Sequence, residues 1–189
     1  MKKVLIIVDL QKDFITGSLA VPNAENIIPN VNRLTNSGLF DLVIATQDWH
    51  PPFHKKAFID WPIHCVWGTK GAELSPYLKQ THIKHILRKG MNPEADSYSA
   101  FKNENGVEET GLKALIDNLE NDVQIYITGL ALEVCVYNTA KDAKEYFDDV
   151  TVILDACGAL SPESAQKTEQ DLMDLDIEIG YTTEEVIND

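Results

Sequence analysis

The sequence predicts an α/β protein: three α/β/α layers around a doubly wound, mainly parallel six-stranded sheet. Three observations predict it: six short apolar runs rich in β-branched residues, helix-compatible stretches between most of them, and a chemically active residue near the end of five runs. The first run, residues 4–8, is continuously apolar, as a central parallel strand buried on both faces must be, and Asp9 ends it. Residues 42–45, 83–87, 123–127 and 150–154 repeat the pattern, and residues 177–179 do so more weakly. Helices are expected over residues 24–36, 112–121, 133–147 and 164–173. The last follows Ser161, Pro162, Glu163 and Ser164, which combine capping hydroxyls with an early proline. The acidic stretch 182–189 reads as a solvated terminus.

With 189 residues and 44% hydrophobic composition, the chain is expected to form a single domain over residues 1–189. A chain of this size buries roughly 70% of its unfolded surface, so its core needs no disulfide or structural metal, and a metal would signal function. The net charge of −14 argues against nucleic-acid and anionic-membrane partners, which demand clustered Lys and Arg. Three cysteines, Cys65, Cys135 and Cys157, form no disulfide framework and read as reduced thiols. The first apolar run is too short for a signal or a membrane span, so a cytoplasmic location is expected.

Segment 48–76 breaks the strand and helix rhythm. It holds all three Trp, three of the five His and four Pro, with no apolar period, which suits a metal- and substrate-binding loop. Doubly wound sheets bind ligands beyond the carboxyl ends of their strands, which directs attention to Asp9, Asp48, Lys89, the turn from Gly129 to Cys135, and Asp155. Cys135 lies where a strand turns into a helix, a position that favours a thiolate and offers N–H groups to an oxyanion. Taken alone, a cysteine reads as an ordinary buried thiol well before it reads as catalytic, and Cys65 and Cys157 take that ordinary reading. Asp9 and Lys89 strengthen the functional reading, because charges at strand ends are costly to bury unless paired or used. Separately, Asp9 could begin a turn and Lys89 could be a surface charge.

A second constellation is Asp48, His50, His54 and His64. One carboxylate with two imidazoles suits a divalent zinc, iron or manganese ion with positions left open. His82 and His85 fall outside this cluster and belong to the edge or surface of the third strand.

Several motifs in this order carry a resemblance across nearly the whole chain. They are Ile7-Val8-Asp9-Leu10-Gln11-Lys12-Asp13-Phe14, Gly17 to Val21, Thr46-Gln47-Asp48-Trp49-His50-Pro51, Trp61 to Val66, Arg88-Lys89-Gly90, Asp96 to Phe101 and the Cys135 segment. The sequence resembles the nicotinamidase/pyrazinamidase family of isochorismatase-like hydrolases. The resemblance implies hydrolysis of nicotinamide to nicotinate and ammonia in NAD salvage, with pyrazinamide as an analogue. It implies Cys135 as nucleophile, Asp9 as proton carrier, Lys89 as charged partner, and backbone N–H groups of Ala131 and Cys135 as oxyanion donors beside a cis Leu130–Ala131 bond. It further implies one divalent ion, zinc first, on Asp48, His50 and His64 with His54 as an optional fourth ligand, and a ring pocket lined by Phe14, Trp61 and Tyr98. Relatives are often homo-oligomers. The runner-up readings are a sibling hydrolase of another small amide or ester and a non-catalytic binding protein on the same fold. Leu132 and Glu133 depart from the hydroxyl residue and Asp common in the family, and the Glu133 charge is expected to oppose a Cys135 thiolate.

Overall fold

The computed structural model describes residues 1–108, 110–120 and 122–188. In chain order its elements are β1 (Lys2–Val8), α1 (Lys12–Ile15), a 3-10 turn (Ala24–Ile27), α2 (Ile28–Asn36), β2 (Leu42–Asp48), α3 (Ala57–Asp60), β3 (His85–Lys89) and α4 (Leu112–Asp117). There follow β4 (Val123–Gly129), a π-helical turn (Leu132–Val136), α5 (Tyr137–Tyr146), β5 (Asp149–Cys157), α6 (Pro162–Asp174), β6 (Glu178–Gly180) and α7 (Thr183–Asn188). The six strands pair in the order β3-β2-β1-β4-β5-β6, and every pair is parallel. Order reverses between β1 and β4, which makes the carboxyl end of β1 the switch point of the sheet.

The period of two in each strand divides the apolar residues between two layers. Leu5 and Ile7 of β1, Val43 of β2 and Ile153 of β5 pack with Val31 and Leu34 of α2 and Val186 of α7. Val4, Ile6 and Val8 face the opposite layer, with Leu112 and Ile116 of α4, Ala140 and Ala143 of α5, and Leu172 of α6. The three-layer expectation is met. Ser161 caps α6 through a reciprocal bond with Ser164, and Pro162 occupies its first turn, as the start signal implied. No helix among the described residues is long and apolar enough to cross a membrane.

Several boundaries differ for physical reasons. The third strand begins at His85 rather than residue 83 and runs on to Lys89, because it pairs in register with β2 up to Asp48. Residues 24–27 form a 3-10 turn, with Pro29 in the first turn of α2. The helix expected over 112–121 ends at Asp117, and its last expected residue, Asn121, lies outside the described residues. The helix expected from residue 133 begins as a π turn at Leu132. The solvated-terminus reading of 182–189 is corrected: Thr183–Asn188 is helical and buries Thr183 and Val186, while Asp189 lies outside the described residues. Its anchor is Asp155, whose Oδ1 accepts from both the backbone N–H and the hydroxyl of Thr183 at 2.8 Å.

Candidate active site

Register brings the first charged groups together. Asp48 and Lys89 end neighbouring strands as paired residues, and Asp9 follows β1 immediately, with a φ of +48° that turns its chain out of the sheet. Lys89 is fully buried, and its ammonium contacts Asp9 Oδ2 at 2.9 Å, Asp48 Oδ1, the Ser97 carbonyl at 2.7 Å and Cys135 Sγ at 3.7 Å. Asp9, Asp48 and Cys135 each present a ligating atom within 4.8 Å of the others. Thr46, on β2, donates its hydroxyl proton to Asp9 Oδ1 at 2.7 Å and fixes the carboxylate rotamer. The three residues expected to form a triad therefore share one ammonium-centred cluster.

Cys135 reaches this cluster because the chain reverses sharply after β4. Gly129 has φ +122°, the Leu130–Ala131 peptide is cis, and Ala131 O accepts from Val134 N and Val136 N, bypassing the intervening Cys135 N–H. Ala131 and Cys135 both line the pocket. Glu133 turns toward α6: its Oε1 accepts from the Leu160 N–H at 2.8 Å and from the Ser164 hydroxyl. The charges that govern the thiol are instead Lys89, Asp9 and Asp48.

Charge and burial compete here. Burial raises the Asp9 carboxyl, with a smaller push from the neighbouring Asp48, and Lys89 and Thr46 cancel only part of that rise. Burial also acts on Asp48, but the opposing charges, Lys89 foremost, outweigh it and hold that carboxyl well below the usual range. For Lys89, burial is overcome by Asp48 and Asp9, which keep the ammonium protonated. Burial, reinforced by the two carboxylates, pushes the Cys135 thiol well above its ordinary value despite Lys89. The helix-terminal position favours a thiolate, whereas burial and the two neighbouring carboxylates act in the opposite direction on Cys135.

Asp48 also faces the histidines. His50 Nε2 and His64 Nε2 lie 3.6 and 3.9 Å from Asp48 Oδ2, and one ligating atom from each of the three falls within 4.8 Å of the others. His50 Nδ1 donates to the Gly90 carbonyl at 2.8 Å and His64 Nδ1 to the Pro62 carbonyl at 2.7 Å. Those bonds place the ring hydrogens on Nδ1 and leave both Nε2 lone pairs for an ion, the second-sphere arrangement typical of metal-bound histidine. His54 is arranged the other way. Its Nδ1 accepts from Ala57 N at 3.0 Å and Lys56 N at 3.2 Å, so Nε2 carries the hydrogen, and that buried atom has no partner among the described residues. His54 thus presents a donor where the other two present acceptors.

Phe14, Trp61 and Tyr98 line one pocket with Asp48, His64 and Cys135, enclosing about 470 Å³ with the open mouth included. Trp61 Nε1 donates to the Tyr98 hydroxyl at 3.2 Å, and the Phe14 ring lies 5.4 Å from that of His64. Sequence reasoning missed the lining residues Leu19, Val21, Asp96, Val134 and Leu160, and the supporting Thr46. All of these except Leu160 stood inside recognised motifs, which was the available signal. His82 is exposed just before the edge strand β3, and His85 is exposed as its first residue.

An open α/β sheet with an acid, a lysine and a cysteine gathered at its switch point has the form of a small cysteine-bearing hydrolase. The chain belongs to the isochorismatase family, whose domain model matches residues 3–184. It is 39% identical over 176 residues to a nicotinamidase of Acinetobacter baylyi, covering 82% of this chain and 81% of that one. PnC1 from L. infantum in complex with nicotinate superposes with a TM-score of 0.88 at 36% identity, over 94% of this chain and 91% of that one. The pyrazinamidase of Pyrococcus horikoshii in complex with zinc superposes with a TM-score of 0.79 at 34% identity, over 95% and 98% of the two chains.

Proposed function

We propose that this chain is a nicotinamidase that hydrolyses nicotinamide to nicotinate and ammonia, accepts pyrazinamide as an analogue, and acts through a thioester on Cys135. The single observation that carries the reading is the buried Lys89 ammonium, which pairs with both Asp9 and Asp48 and itself lies 3.7 Å from the Cys135 sulfur. Relatives named for nicotinamide and pyrazinamide hydrolysis, one of them solved with nicotinate, support the substrate class.

Asp9 takes the thiol proton as Cys135 Sγ attacks the carboxamide carbon, and the backbone N–H groups of Ala131 and Cys135 receive the developing oxyanion. The C–N bond then breaks while Asp9 returns the proton to the leaving nitrogen, releasing ammonia and the thioester. Asp9 next accepts a proton from the attacking water, the C–S bond breaks, and the proton returns to sulfur. Lys89 keeps the ionised Asp9 in place through each exchange. Asp48, His50 and His64 would hold a divalent ion, zinc first and iron or manganese as alternatives, which when bound supplies an electrophilic anchor for the substrate ring nitrogen. His54 contributes an Nε2–H donor at the edge of that group. Phe14, Trp61 and Tyr98 sandwich and orient the ring, which brings the carboxamide to Cys135.

Ammonia release from nicotinamide by metal-replete wild type, Cys135→Ala and His64→Ala tests the reading. Turnover by wild type, a loss of at least ~10⁴-fold in Cys135→Ala with bound zinc retained, and a mainly raised KM in His64→Ala are expected. Absence of turnover by the metal-replete wild type would sink it.

A further inference from the structure

The segment that leads from β1 into α1 carries two residues bound to distant backbone with no place in the chemistry above, Gln11 and Asp13. Gln11 is fully buried. Its Nε2 donates to the carbonyls of Asp48 and Ala72, both at 2.8 Å, while its Oε1 accepts from the Asp48 N–H at 2.8 Å. The side-chain amide therefore grips both sides of the Asp48 backbone as a neighbouring strand would. A reversed amide would set its oxygen against two carbonyls, so this orientation is the one the partners allow.

Asp13 performs the matching task on the other arm. Its Oδ2 accepts from the Cys65 N–H at 2.8 Å, one residue beyond His64, and its own N–H donates to the Gly71 carbonyl at 3.0 Å. Cys65 has a φ of +44°, a left-handed conformation that costs a non-glycine residue free energy and needs an external hold. The Asp13 carboxylate lies against bare backbone: a Cβ on Gly71 would sit 2.1 Å from Oδ2, and one on Gly17 would sit 2.3 Å from Oδ1. Both glycines make room for it.

We propose that Gln11 and Asp13 are positioning residues that set the separation of Asp48 and His64, so that the segment from the end of β1 into α1 acts as the brace of the divalent-ion site. The proposal rests on the metal reading above. Gln11 holds one ligand by its peptide, Asp13 holds the chain next to another, and both residues belong to the segment that begins with Asp9.

The test is zinc titration of the full-length chain against a chromophoric chelator, for wild type, Gln11→Met, Gln11→Glu, Asp13→Ala and Asp13→Asn, at a temperature where circular dichroism shows each folded. Gln11→Met and Asp13→Ala should weaken zinc binding by about 10–100-fold, the usual effect of losing an outer-sphere partner. Gln11→Glu, which keeps the acceptor and loses the donor, should also weaken it. Asp13→Asn, which keeps one acceptor for Cys65 N–H, should recover most of the affinity. With saturating zinc, KM for nicotinamide should rise more than kcat falls, while the rate of Cys135 alkylation by iodoacetamide stays at the wild-type value. Wild-type zinc affinity in folded Gln11→Glu and Asp13→Ala would overturn the brace. If wild type binds no divalent ion, the metal reading fails and the brace falls with it.

Discussion

Burying one lysine at a strand end would cost several kcal/mol, and the site offsets that cost by giving the Lys89 ammonium two carboxylates and a carbonyl. The same pairing divides the two acids. Asp48 contacts Lys89 and both histidines and is held ionised, whereas Asp9 has its carboxyl raised by burial beyond what Lys89 cancels. On the proposed mechanism Asp9 is a base only when ionised, so activity should be lost as pH falls through its raised value. The acid limb of kcat/KM is therefore expected above the ordinary carboxylate value of 3.8, and Asp9→Asn should remove turnover across the whole profile. A limb at or below 3.8 in wild type would count against Asp9 as the proton acceptor. Much at this scale was legible from the sequence, because ionisable residues ending apolar runs are rare without a purpose. The state of Cys135 was not. A helix-terminal position argues for a thiolate, and only the surrounding burial and carboxylates reverse the sign. Gln11 and Asp13 stayed unassigned for a similar reason: their partners are backbone groups far along the chain, which no local pattern names.

Strands were the most readable elements, since continuous apolar runs can only be central strands in a sheet covered on both sides. The turn that carries the cysteine was harder, because its shape depends on how closely β4 and β1 approach. Gly129 pairs with Val8 in the ladder, and its φ of +122° lies in a region that side chains rarely adopt. A Cβ there would also sit 2.1 Å from the Val8 carbonyl oxygen. Gly129→Ala is expected to destabilise the fold by about 3 kcal/mol, through unfavourable φ and displaced backbone together. The residual folded protein should lose turnover, because Asp9 and Cys135 lie on either side of that contact. Urea denaturation with a parallel ammonia assay checks both effects. Unchanged stability would show that the ladder yields more easily than this contact implies. The π turn was invisible for a related reason: its spacing still suits an amphipathic helix, and an extra residue in one turn leaves little mark on the apolar pattern.

At the scale of the molecule, the sheet separates chemistry from support. The groups proposed to react come from the ends of β1, β2 and β3 and the turn after β4, around the switch point, while β5, β6 and α7 complete the far half. Asp155 looked like a further strand-end candidate in the sequence, yet it serves that far half. Its Oδ1 receives both Thr183 donors at the start of α7, and Asn30 of α2 donates to its Oδ2 at 3.0 Å and its carbonyl at 2.8 Å. One carboxylate thus joins β5, α2 and the helix that closes the apolar layer with Val186. Asp155→Ala would leave the buried Thr183 hydroxyl unpaired and remove a helix cap, a loss of about 1–3 kcal/mol. For a chain of this length that corresponds to a Tm lower by roughly 2–12 °C. Because the change lies outside the ion site and the Lys89 cluster, kcat and KM for nicotinamide should stay at wild-type values well below the transition. A large fall in kcat with unchanged Tm would place Asp155 in the chemistry after all and erase the division between the two halves of the sheet.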